Sequence, residues 1–215
     1  MAILILSSKK GQANLKDNQS KEDRLRLMHK LKQTLRRRLL EERAMLSVPN
    51  RQQLQTSVLA YVEQYLQKQK PGVLGLYWPI KGEMDCQSIA ETLINSGWQL
   101  AVPVINDATK QLDFAHWQPD TPMVNGTWNI PVPANPEWSK PEHFLIPLVG
   151  FDANNYRLGY GGGYYDRTLA TQQNSVTKIG VGFEIGRLAS IHPNKFDIAM
   201  DIVITETGLQ YKKQL

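Results

Sequence analysis

The sequence predicts an α/β fold, a mostly parallel sheet covered by helices on both faces. Short apolar runs bounded by turn residues alternate with segments of helical period, the pattern of strand–helix–strand units. The chain has 215 residues and is 41% hydrophobic, enough for one well-filled core. A single cysteine, Cys86, rules out an internal disulfide. The elements follow in order. Residues 1–20 read as a loose, polar N-terminal tail, and 21–215 as one domain. Leu25, Met28, Leu31, Leu35 and Leu39 recur three or four apart, which predicts a helix. Lys32 and Arg36 lie one turn apart beside that stripe, where they reach a cleft at its edge. Pro49 and Asn50 break the pattern, and a second helix is expected near 51–69, ended by Pro71 and Gly72. Val73 to Trp78 is a buried strand; Asp85 caps a helix running to Asn95, and Gly97 stops it. Trp98–Val104 and Leu112–Trp117 are the next strands. Six prolines over 119–141 predict a long surface excursion. Phe144–Val149 is a strongly apolar strand, followed by a glycine-rich loop and a helix near Tyr164–Thr171. Ile179–Phe183 and Ile202–Thr205 complete the strands.

Composition bounds the function. Charged residues make up 21%, so wholesale disorder is excluded, and no apolar run is long enough to cross a bilayer. The lone cysteine points to a reducing cytoplasm. The formal charge is +5, and all of it is accounted for by residues 21–43, which hold nine Lys/Arg against four acids. Such a stripe suits a polyanion, either nucleic acid or a nucleotide's phosphates, but a solvated helix face has the same composition. His29, His116, His143 and His192 are scattered without metal-ligand spacing, and no Ser/His/Asp or Cys/His set stands out.

The most informative stretch is Arg157-Leu158-Gly159-Tyr160-Gly161-Gly162-Gly163-Tyr164-Tyr165-Asp166. Its glycines allow positive φ and close approach of a ligand to backbone N–H groups. Placed between an apolar strand and a helix, such a loop attracts phosphate, in the crevice where open α/β sheets bind ligands. It has neither the Walker ending nor the dinucleotide spacing. A tight turn needs the same glycines, and spacing alone leaves the two readings level. Asp166 is placed to hold a hard cation bridging phosphates, or simply to favour the helix N-terminus; Arg157 is placed to meet a terminal phosphate. Glu83, in Tyr77-Trp78-Pro79-Ile80-Lys81-Gly82-Glu83, aims a carboxylate into the crevice or sits in a surface turn. Trp128 walls off a planar ligand or pins its proline-rich loop. Asp201 is a second metal ligand or an ordinary strand-entry residue.

Together these blocks resemble the 5-formyltetrahydrofolate cyclo-ligases, also called methenyltetrahydrofolate synthetases. The resemblance rests on Leu148-Val149-Gly150-Phe151-Asp152 followed by Tyr156 to Arg167. Lys32-Gln33-Thr34-Leu35-Arg36, Gly82-Glu83-Met84-Asp85, Trp128-Asn129-Ile130-Pro131 and Asp201-Ile202-Val203 extend it in the family's order. It implies a three-layer α/β/α fold related to the ribose-phosphate isomerase and CoA-transferase group. It implies that Lys32, Arg36 and residues 157–165 (Arg157, Leu158, Gly159, Tyr160, Gly161, Gly162, Gly163, Tyr164 and Tyr165) bind ATP, with Lys32 and Arg157 acting on the transferred phosphate. By the same resemblance Asp166 and Asp201 hold Mg2+, and Trp78, Glu83, Trp128, Tyr160 and Tyr164 contact the folate. The implied activity is ATP-dependent cyclisation of 5-formyltetrahydrofolate in a cytoplasmic monomer, without nucleic-acid or membrane partners.

Overall fold

The structure is a computed structural model that describes residues 3–172 and 176–213. Its centre is an eight-stranded sheet. The strands are β1 (Val73–Gly75), β2 (Gln99–Asn106), β3 (Gln111–His116), β6 (Trp138–Ser139), β7 (His143–Pro147), β10 (Thr177–Val181), β11 (Ile202–Thr205) and β12 (Gly208–Tyr211). Their order is β12-β11-β10-β7-β1-β2-β3-β6. The five central strands run parallel, and the three outer ones are antiparallel to their neighbours. The expected alternation is therefore borne out at the centre of the sheet.

Alternate residues of each strand face opposite layers. On one face Leu74, Leu100, Leu145, Ile179, Val181, Ile202 and Ile204 pack with Val58, Val62 and Leu66 of α2 (Val48–Leu66). Ala90 and Leu93 of α3 (Ala90–Asn95) join them. On the other face Ala101, Phe114, Phe144, Ile146 and Val203 meet Leu169 of α4 (Tyr164–Ala170). A third, smaller cluster of Leu39, Val149, Leu158, Leu188 and Ile191 seats α1 (Ile3–Ala44). That helix rests on the hairpin of β8 (Gly150–Phe151) and β9 (Arg157–Leu158).

Several boundaries differ from expectation, each for a local reason. The chain is helical from Ile3, where a loose tail was expected over 1–20. No proline interrupts that stretch, and Lys, Gln, Leu and Ala favour the helix. Pro49 opens α2 instead of breaking a helix, because proline lacks only an N–H that the first turn leaves free; the Ser47 hydroxyl caps it by accepting from the Asn50 N–H at 3.4 Å. Asp85 caps as expected, accepting from the Gln87 N–H at 3.0 Å, though the first turn (Cys86–Ile89) is a 3-10 helix. Within 119–141, β4 (Met123–Asn125) pairs with β5 (Pro131–Pro133), and β6 lies there too.

Candidate active site

The carboxyl ends of the parallel strands form a crevice, and two groups of side chains meet there. The first is cationic. Lys32 and Arg36 leave α1 on one face. The Arg36 Nε–H donates to the Gly159 carbonyl at 2.6 Å. Gly161 has φ +99°, and a Cβ there would stand 3.2 Å from the Arg36 guanidinium carbon, so both its backbone conformation and its neighbour demand glycine. Arg157 is buried, forms an ion pair with Asp166 at 2.9 Å and stacks its guanidinium over the Tyr165 ring. Lys32, also buried, pairs with Asp197 at 2.7 Å. Arg167 donates to the Gly162 carbonyl at 2.6 Å and covers the Tyr164 ring. Among the described residues, no acceptor is found for the backbone N–H groups of Gly159 to Gly163. The loop thus combines unused donors with four cations, the chemistry of a phosphate cradle.

The second group is a polar pocket. The turn Ile80–Glu83 has positive φ at Lys81 (48°) and Gly82 (76°). It closes by Glu83 N–H to Ile80 C=O at 3.0 Å, and the Glu83 carboxylate accepts from the Ile80 N–H at 3.0 Å. The other carboxylate oxygen, Oε1, is buried without a hydrogen-bond partner among the described residues. Arg43 Nη1, Trp78 Nε1 and the Tyr165 hydroxyl are orphaned in the same way. Arg43 is held by its other nitrogen, which donates to the Leu148 carbonyl at 2.5 Å. Buried polar atoms are nearly always paired, so several orphans around one crevice mark a place for a ligand's own donors and acceptors. Burial pushes Glu83 up to about 7, against the opposing pull of the Ile80 N–H and Arg43. Burial likewise raises the Tyr165 and Tyr160 hydroxyls.

Tyr160 joins the two groups. It leaves the glycine loop, donates to the Ile80 carbonyl at 3.4 Å and carries the Lys81 ammonium over its ring at 5.4 Å. Trp128 and Tyr164 meet edge to face at 5.6 Å on the rim, with Trp128 68% exposed and held at φ +57°. Trp78 is wedged edge-on against Trp117. The Leu158 side chain packs in the third cluster, so it serves the fold.

Asp201 is the expected site residue that the structure does not bring here. It precedes β11, at the amino edge of the sheet, where its carboxylate takes the Lys178 ammonium at 2.7 Å and the Lys178 N–H at 2.8 Å. Asp166 lies on another layer, in the first turn of α4, and also accepts from the Ile198 N–H at 3.2 Å. No cluster of three metal-ligating side chains occurs among the described residues. The acid beside Lys32 and near Arg36 is Asp197, four residues before Asp201. Sequence reasoning missed Asp197 and Arg43. For Arg43 a signal existed: positions 32, 36 and 43 fall on one face of a helix.

The profile of the 5-formyltetrahydrofolate cyclo-ligase family matches residues 28–206. The chain is 29% identical to the 5-formyltetrahydrofolate cyclo-ligase of Haemophilus influenzae, with 80% of this chain and 97% of the relative aligned. It is 28% identical to that of Mycoplasma pneumoniae, over 81% of this chain and 98% of the relative. Two solved structures share the fold. The 5,10-methenyltetrahydrofolate synthetase of Mycoplasma pneumoniae superposes with a TM-score of 0.69 at 27% identity, covering 81% of this chain and 98% of its own. That of Aquifex aeolicus gives 0.72 at 27% identity, covering 86% and 94%. A profile match over most of the chain, on a shared fold, means that this chain belongs to the 5-formyltetrahydrofolate cyclo-ligase family.

Proposed function

We propose that this ligase closes 5-formyltetrahydrofolate to 5,10-methenyltetrahydrofolate, converting ATP to ADP and phosphate. The observation that carries the reading is the adjacency of two unsatisfied half-sites. One is a glycine loop with free N–H groups among Lys32, Arg36 and Arg157. The other is a pocket of orphaned polar atoms at Glu83, Arg43 and Tyr165.

The ATP phosphates occupy the loop. The formyl oxygen of the folate attacks the γ-phosphorus; a P–O bond forms, the bond to ADP breaks, and an imidate phosphate results. The N10 nitrogen then adds to the formyl carbon and gives up its proton. The former formyl oxygen departs with the phosphate, leaving the methenyl bridge. Phosphoryl transfer needs alignment and charge neutralisation more than a protein nucleophile. Lys32, Arg36 and Arg157 supply the cationic field, and the loop N–H groups fix the oxygens. Glu83 accepts from the N–H donors of the pterin edge, and Tyr164 with Trp128 walls the opening. Asp166 and Asp197 are hard-oxygen donors beside the loop and suit Mg2+ arriving with the nucleotide; Asp201 stays at the far edge with Lys178. When bound, Mg2+ neutralises phosphate charge. Lys32→Ala is expected to raise the KM for ATP about tenfold, as loss of a charge-assisted contact does; steady-state kinetics at varied ATP checks this.

The test mixes purified protein, 5-formyltetrahydrofolate, ATP and Mg2+ and follows the methenyl product by absorbance. Folded protein that forms no product overturns the reading. A pH profile probes Glu83. Anchoring a pterin requires its carboxylate form, so substrate binding below neutrality releases a proton. The folate KM is expected to fall about tenfold per pH unit up to about 7, then level off. Stability of the ligand-free protein moves the other way. Between 4.5, its ordinary value, and about 7 the fold keeps a proton that the unfolded chain has lost. This group therefore stabilises the fold less and less as pH rises through that window. A KM that stays flat across it contradicts the role given to Glu83.

A further inference from the structure

Arg167 follows Asp166 in α4, and its residue is exposed, yet the side chain is held fast. Its Nε–H donates to the Lys110 carbonyl at 2.7 Å and its Nη2–H to the Gly162 carbonyl at 2.6 Å. The guanidinium carbon stands 5.2 Å from the centre of the Tyr164 ring. One carbonyl belongs to the glycine loop, the other to the tip of the β2–β3 hairpin. That tip is a firm support. Asn106 Oδ1 accepts from the N–H groups of Ala108 and Thr109, each at 3.2 Å. The Lys110 N–H donates to the Asn106 carbonyl at 2.8 Å, with Lys110 at φ 56°. Beside it the Leu112 N–H donates to the Thr168 hydroxyl at 2.8 Å, which docks α4 on β3. Gly163 has φ +67°, and a Cβ there would stand 2.9 Å from Arg167 Nη1, so glycine also leaves room for the arginine.

The Gly162 carbonyl shares its peptide with the Gly163 N–H, and a trans peptide sets the two in opposite directions. Pinned to Arg167, that carbonyl turns the Gly163 N–H away from α4, and the N–H has no acceptor among the described residues. Arg36 does the same from α1. It holds the Gly159 carbonyl and so turns the Tyr160 N–H, which likewise has no acceptor among the described residues. The loop is thus braced at its start by one helix and at its end by another. A run of glycines is otherwise costly to order. A carbonyl that accepts from a cation also makes its own amide a stronger donor. Donors fixed in advance need no reorganisation when negative charge arrives. We infer that Arg167 is a positioning residue of the glycine loop: clamped between Gly162 and Lys110, it aims the Gly163 N–H at a phosphate oxygen without itself touching the nucleotide. The inference rests on the reading of this loop as the seat of the ATP phosphates.

The experiment measures binding of Mg-ATP and of magnesium tripolyphosphate by calorimetry without folate, beside turnover and ligand-free melts, for the parent, Arg167→Gln and Arg167→Lys. Arg167→Gln is expected to bind both ligands about tenfold more weakly and to raise the KM for ATP alike. Its KM for the folate should move less than about threefold, and its ligand-free midpoint should stay within about 2 °C of the parent. An arginine that only props the fold gives the reverse, a lower midpoint with both affinities kept, and that result overturns the inference. Arg167→Lys keeps the charge but cannot span both carbonyls, so it should remain at least about fivefold weaker than the parent. Affinities within about twofold of the parent in the glutamine variant overturn the inference. Full recovery in the lysine variant does so too, since charge and not aim is then the cause. A parent that forms no methenyl product while this order of affinities holds overturns the ring-closing reading alone. A parent that binds neither ligand overturns both.

Discussion

Asp152→Ala is expected to destabilise the protein by about 4 kcal/mol, the largest stability effect of any single substitution at the site's supports. Asp152 is 1% exposed and, among the described residues, forms no ion pair. Its Oδ1 accepts from the N–H groups of Asn154 at 3.0 Å and Tyr156 at 3.2 Å. Its Oδ2 accepts from the Ile191 N–H at 3.1 Å. One carboxylate thus shapes the turn of the β8–β9 hairpin and ties it to the strap that covers it. Alanine leaves three backbone donors without acceptors, each worth about 1–3 kcal/mol when buried, softened by local rearrangement. For a chain of this size the midpoint is expected to drop by about 12 °C. Asp152→Asn separates charge from geometry: it keeps the Oδ1 acceptor but turns an amide toward the Ile191 N–H, so it should fall between parent and alanine. Thermal and urea unfolding measure both. An alanine variant melting within about 2 °C of the parent contradicts the assignment.

Arg157→Met should cost the most activity, with kcat lower by about a thousandfold. The side chain stands at the start of β9, one residue pair before the glycine loop. One nitrogen holds Asp166, while Nε is buried without an acceptor among the described residues and so is available to a phosphate oxygen. Methionine fills similar volume but removes the charge where negative charge accumulates during transfer. It also strands Asp166 beside the loop, adding repulsion toward the phosphates. Arg157→Lys is not expected to rescue, since a single ammonium cannot hold Asp166 and present a second donor in a fixed fork. Single-turnover rates with Mg-ATP and folate, read beside thermal melts, separate lost chemistry from lost folding. Turnover within about tenfold of the parent, in folded protein, would sink this role for Arg157.

The parallel centre was legible because Phe144–Val149, Ile179–Phe183 and Ile202–Thr205 are apolar on both faces, as strands between two helical layers must be. The edge was not: Gly208-Leu209-Gln210-Tyr211 shows little apolar excess, since β12 is only partly covered. The two-residue strands of the hairpin are too short to have a period. Within the site, the loop and Glu83 were visible as local sequence. The choice between Asp197 and Asp201 was not. Both lie in one irregular run between His192, at φ 52°, and β11, and only tertiary structure sends one to Lys32 and the other to Lys178.

The seating of α1 has a consequence for durability. Lys32 and Arg36 ride on a helix fastened by the smallest of the three clusters, whereas Glu83 stands on the largest. Segments with little apolar anchorage open before the whole molecule does. On warming, the half proposed to hold the nucleotide should loosen while the strands still hold, so activity is expected to fade below the melting point. Cells keeping ATP abundant would then shelter the weaker shoulder simply by occupying it.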